Sequence, residues 1–184
     1  MSQDSTGLMY NLFADLLDYP SPATLQQAEQ CLEQLRMIHP EAASSLEAFC
    51  GGLEQYSLEQ IEELYTITFD MQPVCYPYIG YQLFGESYKR GALMAQLNEA
   101  YHASGYSAGQ ELPDHLSVSL RFLGLGTTTQ EDDFGRALLA EGLVPALEKM
   151  IRTFDKQSEN PYLGLLSALH LFLVHVTQKE LSHA

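Results

Sequence analysis

Apolar residues recur every three to four positions along most of this 184-residue chain, and this period constrains the fold more than any other feature. The spacing is regular in Leu8, Leu12 and Leu16, and it returns in Ile61 and Leu64. Such a period places the apolar side chains on one face of an α-helix. Because no alternating stretch exceeds four residues and no Asn-Gly or Asp-Gly hairpin signal occurs, the sequence predicts an all-α fold.

Capping and helix-terminating residues divide this pattern into about eight helices. Ser57 has the residue type of an N-cap and starts a helix that should end near Asp70. Other boundaries are expected at the pair Gly51 and Gly52, at Glu86, at Gly105, at Pro113, and between Gly142 and Pro145. With 46% apolar residues, residues 1–184 should form a single helical domain around one core.

The charge balance of the chain is strongly acidic. It has 24 acidic and 9 basic residues, a formal net charge of -15. Such a surface repels nucleic acid and anionic lipid and attracts basic ligands, so nucleic-acid binding is not expected. Residues 162–176 form the most apolar stretch, but Gly164 and His170 interrupt it, and it is too short to span a bilayer. We expect a core helix there and no membrane insertion.

The first residues and the cysteines indicate the compartment. The N-terminal segment has no basic residue ahead of its amphipathic stretch, which is unlike a secretory signal. Cys31, Cys50 and Cys75 are far apart and lack the C-x-x-C spacing of zinc or redox motifs. We therefore expect buried, reduced thiols and a cytoplasmic protein.

Three polar clusters interrupt the apolar pattern, at residues 69–70, 85–91 and 111–116. The chain has no G-x-S-x-G elbow, no phosphate-binding loop and no H-E-x-x-H motif. His170 and His175 are five residues apart and lie on different sides of a helix. Neither a catalytic residue nor a metal ligand is predicted.

Each cluster residue also has a structural explanation. Asp114 and Glu86 are expected in the first turn of a helix, where the dipole stabilises an acid. His115 suits a core histidine with one satisfied nitrogen. Lys89 and Arg90 suit ion pairs with carboxylates of a neighbouring helix.

Residues 65–126 contain three motifs in fixed order. They are Phe-Asp at 69–70, Phe-Gly-Glu-Ser-x-x-Arg-Gly at 84–91 and Glu-Leu-Pro-Asp-His-Leu at 111–116. With these motifs the segment resembles the NarJ branch of the TorD/DmsD-type chaperones, the assembly proteins of molybdenum-cofactor oxidoreductases. The resemblance implies a single all-helical domain that is not an enzyme. It also implies binding to the N-terminal segment of a nitrate-reductase-like catalytic subunit before that subunit receives its cofactor.

The resemblance assigns peptide contacts to matching positions. These are Phe69, Asp70, Tyr81, Phe84, Glu86, Tyr88, Arg90, Asp114 and His115. The chemistry of the residues separately predicts a groove. It would be lined by Tyr78, Tyr81, Phe84 and Phe122 and rimmed by Asp70, Glu86 and Asp114. Such a groove suits an amphipathic helical peptide with basic residues.

The resemblance implies that the client carries the molybdenum cofactor, and we expect this chain to bind none stably. A monomer or weak homodimer is expected. Two other functions stay open: a structural or regulatory subunit that remains in an oxidoreductase complex, and a small enzyme or ligand carrier that uses His115 with Asp114.

Overall fold

The computed structural model describes residues 3–125, 133–155 and 158–183. Its elements are α1 Gln3–Leu17, α2 Thr24–Ile38, α3 Pro40–Leu53, α4 Leu58–Phe69, α5 Ile79–Phe84, α6 Tyr88–Ala103, α7 Leu116–Leu123, α8 Asp133–Ala137, a π-helical segment Leu138–Leu143, α9 Val144–Thr153 and α10 Tyr162–His183. Because α8, the π segment and α9 are continuous, the described residues contain nine helical segments and no strand. The predicted all-α fold is confirmed.

The helices enclose one apolar core. Helix α10 packs on α3 and α9, α2 packs between α1 and α3, and α1 packs on α7. Tyr10 and Phe13 of α1 contact Phe172 of α10, with ring centroids 5.9 and 5.6 Å apart. The buried apolar side chains among the described residues form a single cluster. None of the helices in the described ranges is long and apolar enough to cross a membrane.

Gly52 and Gly164 allow close packing around α3. The prediction that Gly51 and Gly52 close α3 is wrong, because α3 continues to Leu53. A Cβ on Gly52 would lie 2.5 Å from Cγ of Pro161. A Cβ on Gly164 of α10 would lie 2.7 Å from the Ser45 carbonyl oxygen of α3. These glycines therefore serve packing between helices.

The predicted break between Gly142 and Pro145 is also absent. The chain passes through the π segment instead, and Pro145 lies in the first turn of α9. A proline ring normally clashes with the carbonyl four residues earlier. The wider π turn relieves this clash and keeps the helix continuous.

Helices α6 and α7 begin later than predicted. Ser87 is the N-cap of α6 and His115 is the N-cap of α7, so Glu86 and Asp114 both precede their helices. The first-turn positions predicted for these two acids are wrong. Asp114 instead lies in a turn, and the next residue, His115, forms an isolated antiparallel bridge with Tyr78 before α5, in which Ile79 N donates to Asp114 O at 2.7 Å. The predicted cap at Ser57 is confirmed by a capping box with Gln60.

Candidate functional site

A cavity of about 530 Å³ opens where the ends of α1 and α4 meet the start of α7. Its walls are Asp18, Tyr19, Tyr65, Phe69, Asp70, Pro77, Tyr78, Tyr106, Ser107, Ala108, Gly109, Glu111, His115, Ser117, Val118 and Arg121. Four of the residues predicted for peptide binding meet here: Phe69, Asp70, Tyr78 and His115.

One wall is aromatic and joins α1 to α4. Tyr65 lies edge-on to Tyr19, with ring centroids 5.4 Å apart, and its ring is 5.2 Å from that of Phe69. The Tyr65 hydroxyl donates to the Leu17 carbonyl oxygen at 3.0 Å. This bond ties the last turn of α1 to α4 and keeps the rings at the cavity surface.

The loop between α6 and α7 forms a second wall. Gly105 and Gly109 have φ of 68° and 69°, which a residue with a Cβ rarely adopts. Tyr106 between them donates through its hydroxyl to the Val118 carbonyl oxygen at 3.1 Å. Glu111 of the same loop also lines the cavity, and its Oε1 accepts a hydrogen bond from the Tyr78 hydroxyl at 3.3 Å. Burial, and then the Glu111 charge, raise the pKa of Tyr78 to about 12, so this hydroxyl keeps its proton.

The cavity carries more negative than positive charge. Arg121 contributes a cation, but its Nη2 contacts Asp15 Oδ1 at 2.8 Å and Asp18 Oδ2 at 2.5 Å. Asp70 is the C-cap of α4, and no basic residue lies in the last turn of that helix. Within the described residues the Asp70 carboxylate has no hydrogen bond or ion pair. Asp70 is therefore available to a cationic ligand, and Glu111, whose Oε1 accepts from Tyr78 and Leu112, makes no ion pair within the described residues.

His115 forms part of the cavity floor, where 4% of its surface is exposed. Its Nδ1 accepts a hydrogen bond from Ser117 N at 3.2 Å and lies 2.9 Å from Ser117 Oγ. The ring lies edge-on to Tyr78, with centroids 5.3 Å apart. Burial lowers the pKa of His115, although nearby carboxylates oppose the shift. The imidazole is thus neutral at pH 7, like the core histidine that the sequence allowed.

Asp114 forms a buried ion pair and does not rim a groove. It is 0% exposed, and its Oδ2 accepts from Nε of Arg90 at 2.9 Å. The same guanidinium reaches Glu86 at 2.6 Å and lies 5.3 Å from the Tyr78 ring centroid. A Cβ on Gly80 would lie 2.8 Å from Asp114 Oδ2, so glycine is needed for this packing. The ion pair expected for Arg90 is present, and it joins the second polar cluster to the third.

The other predicted residues lie outside the cavity walls. Phe122 is 2% exposed and packs on Tyr101 in the core, 4.8 Å between centroids, so it lines no surface groove. Tyr81 packs against Tyr76, with ring centroids 4.2 Å apart and ring planes tilted by 51°. Phe84 and Tyr88 are exposed, Tyr88 by 92%. The groove predicted from the residue types is therefore not formed as a whole: Tyr78 and Asp70 line the cavity, whereas Asp114 and Phe122 are buried.

Several cavity residues were not predicted: Asp18, Tyr19, Tyr65, Tyr106, Glu111 and Arg121. The sequence contains one pattern from which two of these residues could have been predicted. The pair Asp18 and Tyr19 follows the end of α1, just as Phe69 and Asp70 stand at the end of α4. An acid beside an aromatic residue at two helix ends indicates a shared site. Glu111 also lay inside the third cluster.

The described residues offer no group of three or more histidine, cysteine or acidic side chains that could hold a metal ion. The three cysteines are buried and free. Burial raises the pKa of Cys50 to about 11 and that of Cys75 to about 12. These thiols are protonated at pH 7 and are poor nucleophiles.

Comparisons with known proteins agree with this architecture. A crystal structure from Archaeoglobus fulgidus, assigned as a redox enzyme maturation protein, superposes with a TM-score of 0.61. It is 22% identical and the match covers 92% of this chain and 93% of that one, which supports the fold. A Bacillus subtilis (strain 168) protein assigned as the nitrate reductase molybdenum cofactor assembly chaperone NarJ is 37% identical over 184 residues. That match covers 98% of this chain and 96% of the relative.

The family model "Nitrate reductase delta subunit" matches residues 21–167, the greater part of the chain. This match and the B. subtilis relative confirm the resemblance inferred from the three motifs, and the prediction that the protein is not an enzyme is confirmed with it. The chain belongs to the nitrate reductase delta subunit family of assembly chaperones.

Proposed function

We propose that this protein is an assembly chaperone that binds the N-terminal segment of the catalytic subunit of a nitrate-reductase-like molybdoenzyme in the cavity between α1, α4 and α7. The observation that carries the proposal is the combination, in a space of about 530 Å³, of aromatic walls with the carboxylates of Asp70 and Glu111, which make no ion pair within the described residues. Apolar side chains of a peptide would contact Tyr19, Tyr65 and Phe69. Its Lys or Arg side chains would meet Asp70 and Glu111.

The expected affinity is moderate. Three or four buried apolar anchors would each contribute about 1.5–3 kcal/mol. Ordering the peptide and the loss of its rigid-body freedom offset much of this gain. A binding free energy of about -7 to -10 kcal/mol, or a Kd of roughly micromolar to tens of nanomolar, is expected. Affinity in this range permits release once the client has folded.

Further parts of the proposal concern cofactor, assembly state and compartment. The client would carry the molybdenum cofactor, and this chain would hold none stably. The chaperone would act as a monomer or weak homodimer in the cytoplasm. Its buried, unpaired cysteines Cys31, Cys50 and Cys75 suit a reducing compartment.

Calorimetric titration of a basic, apolar N-terminal peptide from the catalytic subunit of the native host tests the proposal. Saturable binding is expected with the wild-type protein. Glu111→Gln should weaken it, because this substitution removes a carboxylate of the cavity wall. Glu33→Gln makes the same change of charge on an exposed position of α2, outside the cavity, and should leave affinity unchanged. Absence of saturable heat, or equal losses in both variants, would contradict the proposed site.

A second candidate function is that of a permanent subunit, since the family is named after the nitrate reductase delta subunit. A helical subunit that stays in the finished oxidoreductase would use the same surface for permanent contact. Purification from the native host separates the two cases. A chaperone should be captured with the immature catalytic subunit and be missing from the cofactor-loaded enzyme. A permanent subunit should be recovered with the loaded enzyme.

A further inference from the structure

The hydrogen bonds of His115 identify which ring nitrogen carries the proton. A backbone N–H can only donate, and Ser117 N–H points at Nδ1 of His115. Nδ1 must then carry no proton and accept this bond, while the Ser117 hydroxyl can turn its hydrogen to suit. The neutral ring therefore has its proton on Nε2.

The Nε2–H group has no acceptor within the described residues, since both hydrogen bonds of the ring are made by Nδ1. His115 is 4% exposed and lines the cavity. Its Nε2 is not fully enclosed, and the ring to which it belongs lines the cavity. Nearly buried donors in folded proteins usually have an acceptor. Water in the cavity can accept from Nε2–H in the free protein, and a ligand that displaces this water must supply the acceptor itself.

The charges of the cavity restrict that acceptor. Asp18, Asp70 and Glu111 line the same space. They repel a carboxylate or another anion, whereas a neutral carbonyl oxygen meets no such repulsion. We propose that Nε2–H of His115 donates a hydrogen bond to a main-chain carbonyl oxygen of the peptide bound in the cavity. This inference rests on the proposed function and adds the atom and the ligand group that make the contact.

Burial supports the required protonation state. It lowers the pKa of His115 from its ordinary value of 6.5, while Glu111, Asp18 and Asp114 raise it and Arg121 lowers it further. Burial is the largest of these effects, so the ring stays neutral at pH 7. Protonation would place a hydrogen on Nδ1, which faces the Ser117 N–H, and would remove the cap of α7.

His115→Asn separates the capping of α7 by the side chain from the proposed hydrogen bond of Nε2–H to the peptide. Asparagine is a good N-cap and can still accept from Ser117 N, but its side chain is shorter and does not reach the position of Nε2. We expect the melting temperature to stay near that of the wild type. The affinity for the N-terminal peptide should fall by about three- to tenfold, the usual worth of one neutral hydrogen bond. His115→Ala should lose the same affinity and stability as well.

An ester scan of the peptide locates the acceptor, because an ester carbonyl accepts hydrogen bonds more weakly than an amide carbonyl. One ester position should weaken wild-type binding and leave His115→Asn binding unchanged. The ring nitrogens can also be examined directly by ¹⁵N NMR of the free wild-type protein, where we expect the proton on Nε2.

The possible results are distinguishable. No peptide binding by the wild type would contradict the proposed function itself. Binding by the wild type with equal affinity in a folded His115→Asn variant would overturn only this inference. A proton found on Nδ1 would overturn it too, and that result does not depend on the folding of any variant.

Discussion

The Asp70 carboxylate stands at the C-terminal end of α4, where the helix dipole is negative and no basic side chain compensates it. Local rules of stability are commonly broken at functional sites. An acid at this position destabilises the free protein and suits a cationic ligand. Stability and binding should therefore respond in opposite directions when its charge is removed.

Asp70→Asn tests this opposition. We expect the free energy of unfolding to rise by about 0.3–1 kcal/mol, because the unfavourable interaction with the dipole disappears. Affinity for a basic peptide should fall in the same variant. Chemical denaturation and calorimetry measure the two effects. Unchanged affinity alongside the gain in stability would show that Asp70 does not contact the ligand.

The Asp114 side chain is expected to act through folding. Asp114→Ala leaves the Arg90 guanidinium buried without its main partner. Breaking a buried pair in this way typically costs about 3–5 kcal/mol. Glu86→Gln is the matched control, since Glu86 is the exposed partner of the same arginine and should contribute at most about 1 kcal/mol. Similar losses of melting temperature in both variants would refute the structural role assigned to Asp114.

At the scale of elements, the glycines of α3 and α10 differ in the space around them: Gly164 is closely packed, whereas a Cβ on Gly51 would have no neighbour within 4 Å. Gly164→Ala places a methyl group 2.7 Å from the Ser45 carbonyl oxygen, and the helices must separate. We expect a loss of about 1–3 kcal/mol of unfolding free energy. Gly51→Ala meets nothing within 4 Å and lies inside α3, so it should stabilise the protein by about 0.5–1 kcal/mol. Thermal unfolding of the two variants should shift in opposite directions, and a shared sign would contradict the close packing.

The ends of these helices differ in how well the sequence predicts them. The Ser57 cap and the helix of residues 58–69 were predictable, because a capping box and a 3.6-residue period are local signals. Gly52 was wrongly predicted as a helix end, because its role depends on Pro161, more than a hundred positions away. The position of Asp114 was predicted wrongly for a related reason: the bridge between His115 and Tyr78 delays the start of α7.

At the scale of the whole molecule, the net charge of -15 opposes compactness and attracts basic ligands. Salt screens both effects, since the Debye length falls from about 10 Å at 0.1 M to about 3 Å at 1 M. Raising sodium chloride over this range should therefore increase the melting temperature and weaken binding of the basic peptide. Scanning calorimetry and peptide titration at matched salt concentrations measure both. Peptide affinity that rises with salt would indicate binding by apolar contacts alone.

The sequence by itself determined the all-α class, the acidic character and the family, because these depend on period, composition and local motifs. It also selected the four predicted residues that meet in the cavity, Phe69, Asp70, Tyr78 and His115. Only the tertiary structure decided that Asp114 and Phe122 are buried, while Asp18, Tyr19 and Glu111 line the site. The physical reason is that exposure depends on contacts between distant segments, and the buried pair of Arg90 and Asp114 joins positions 24 residues apart.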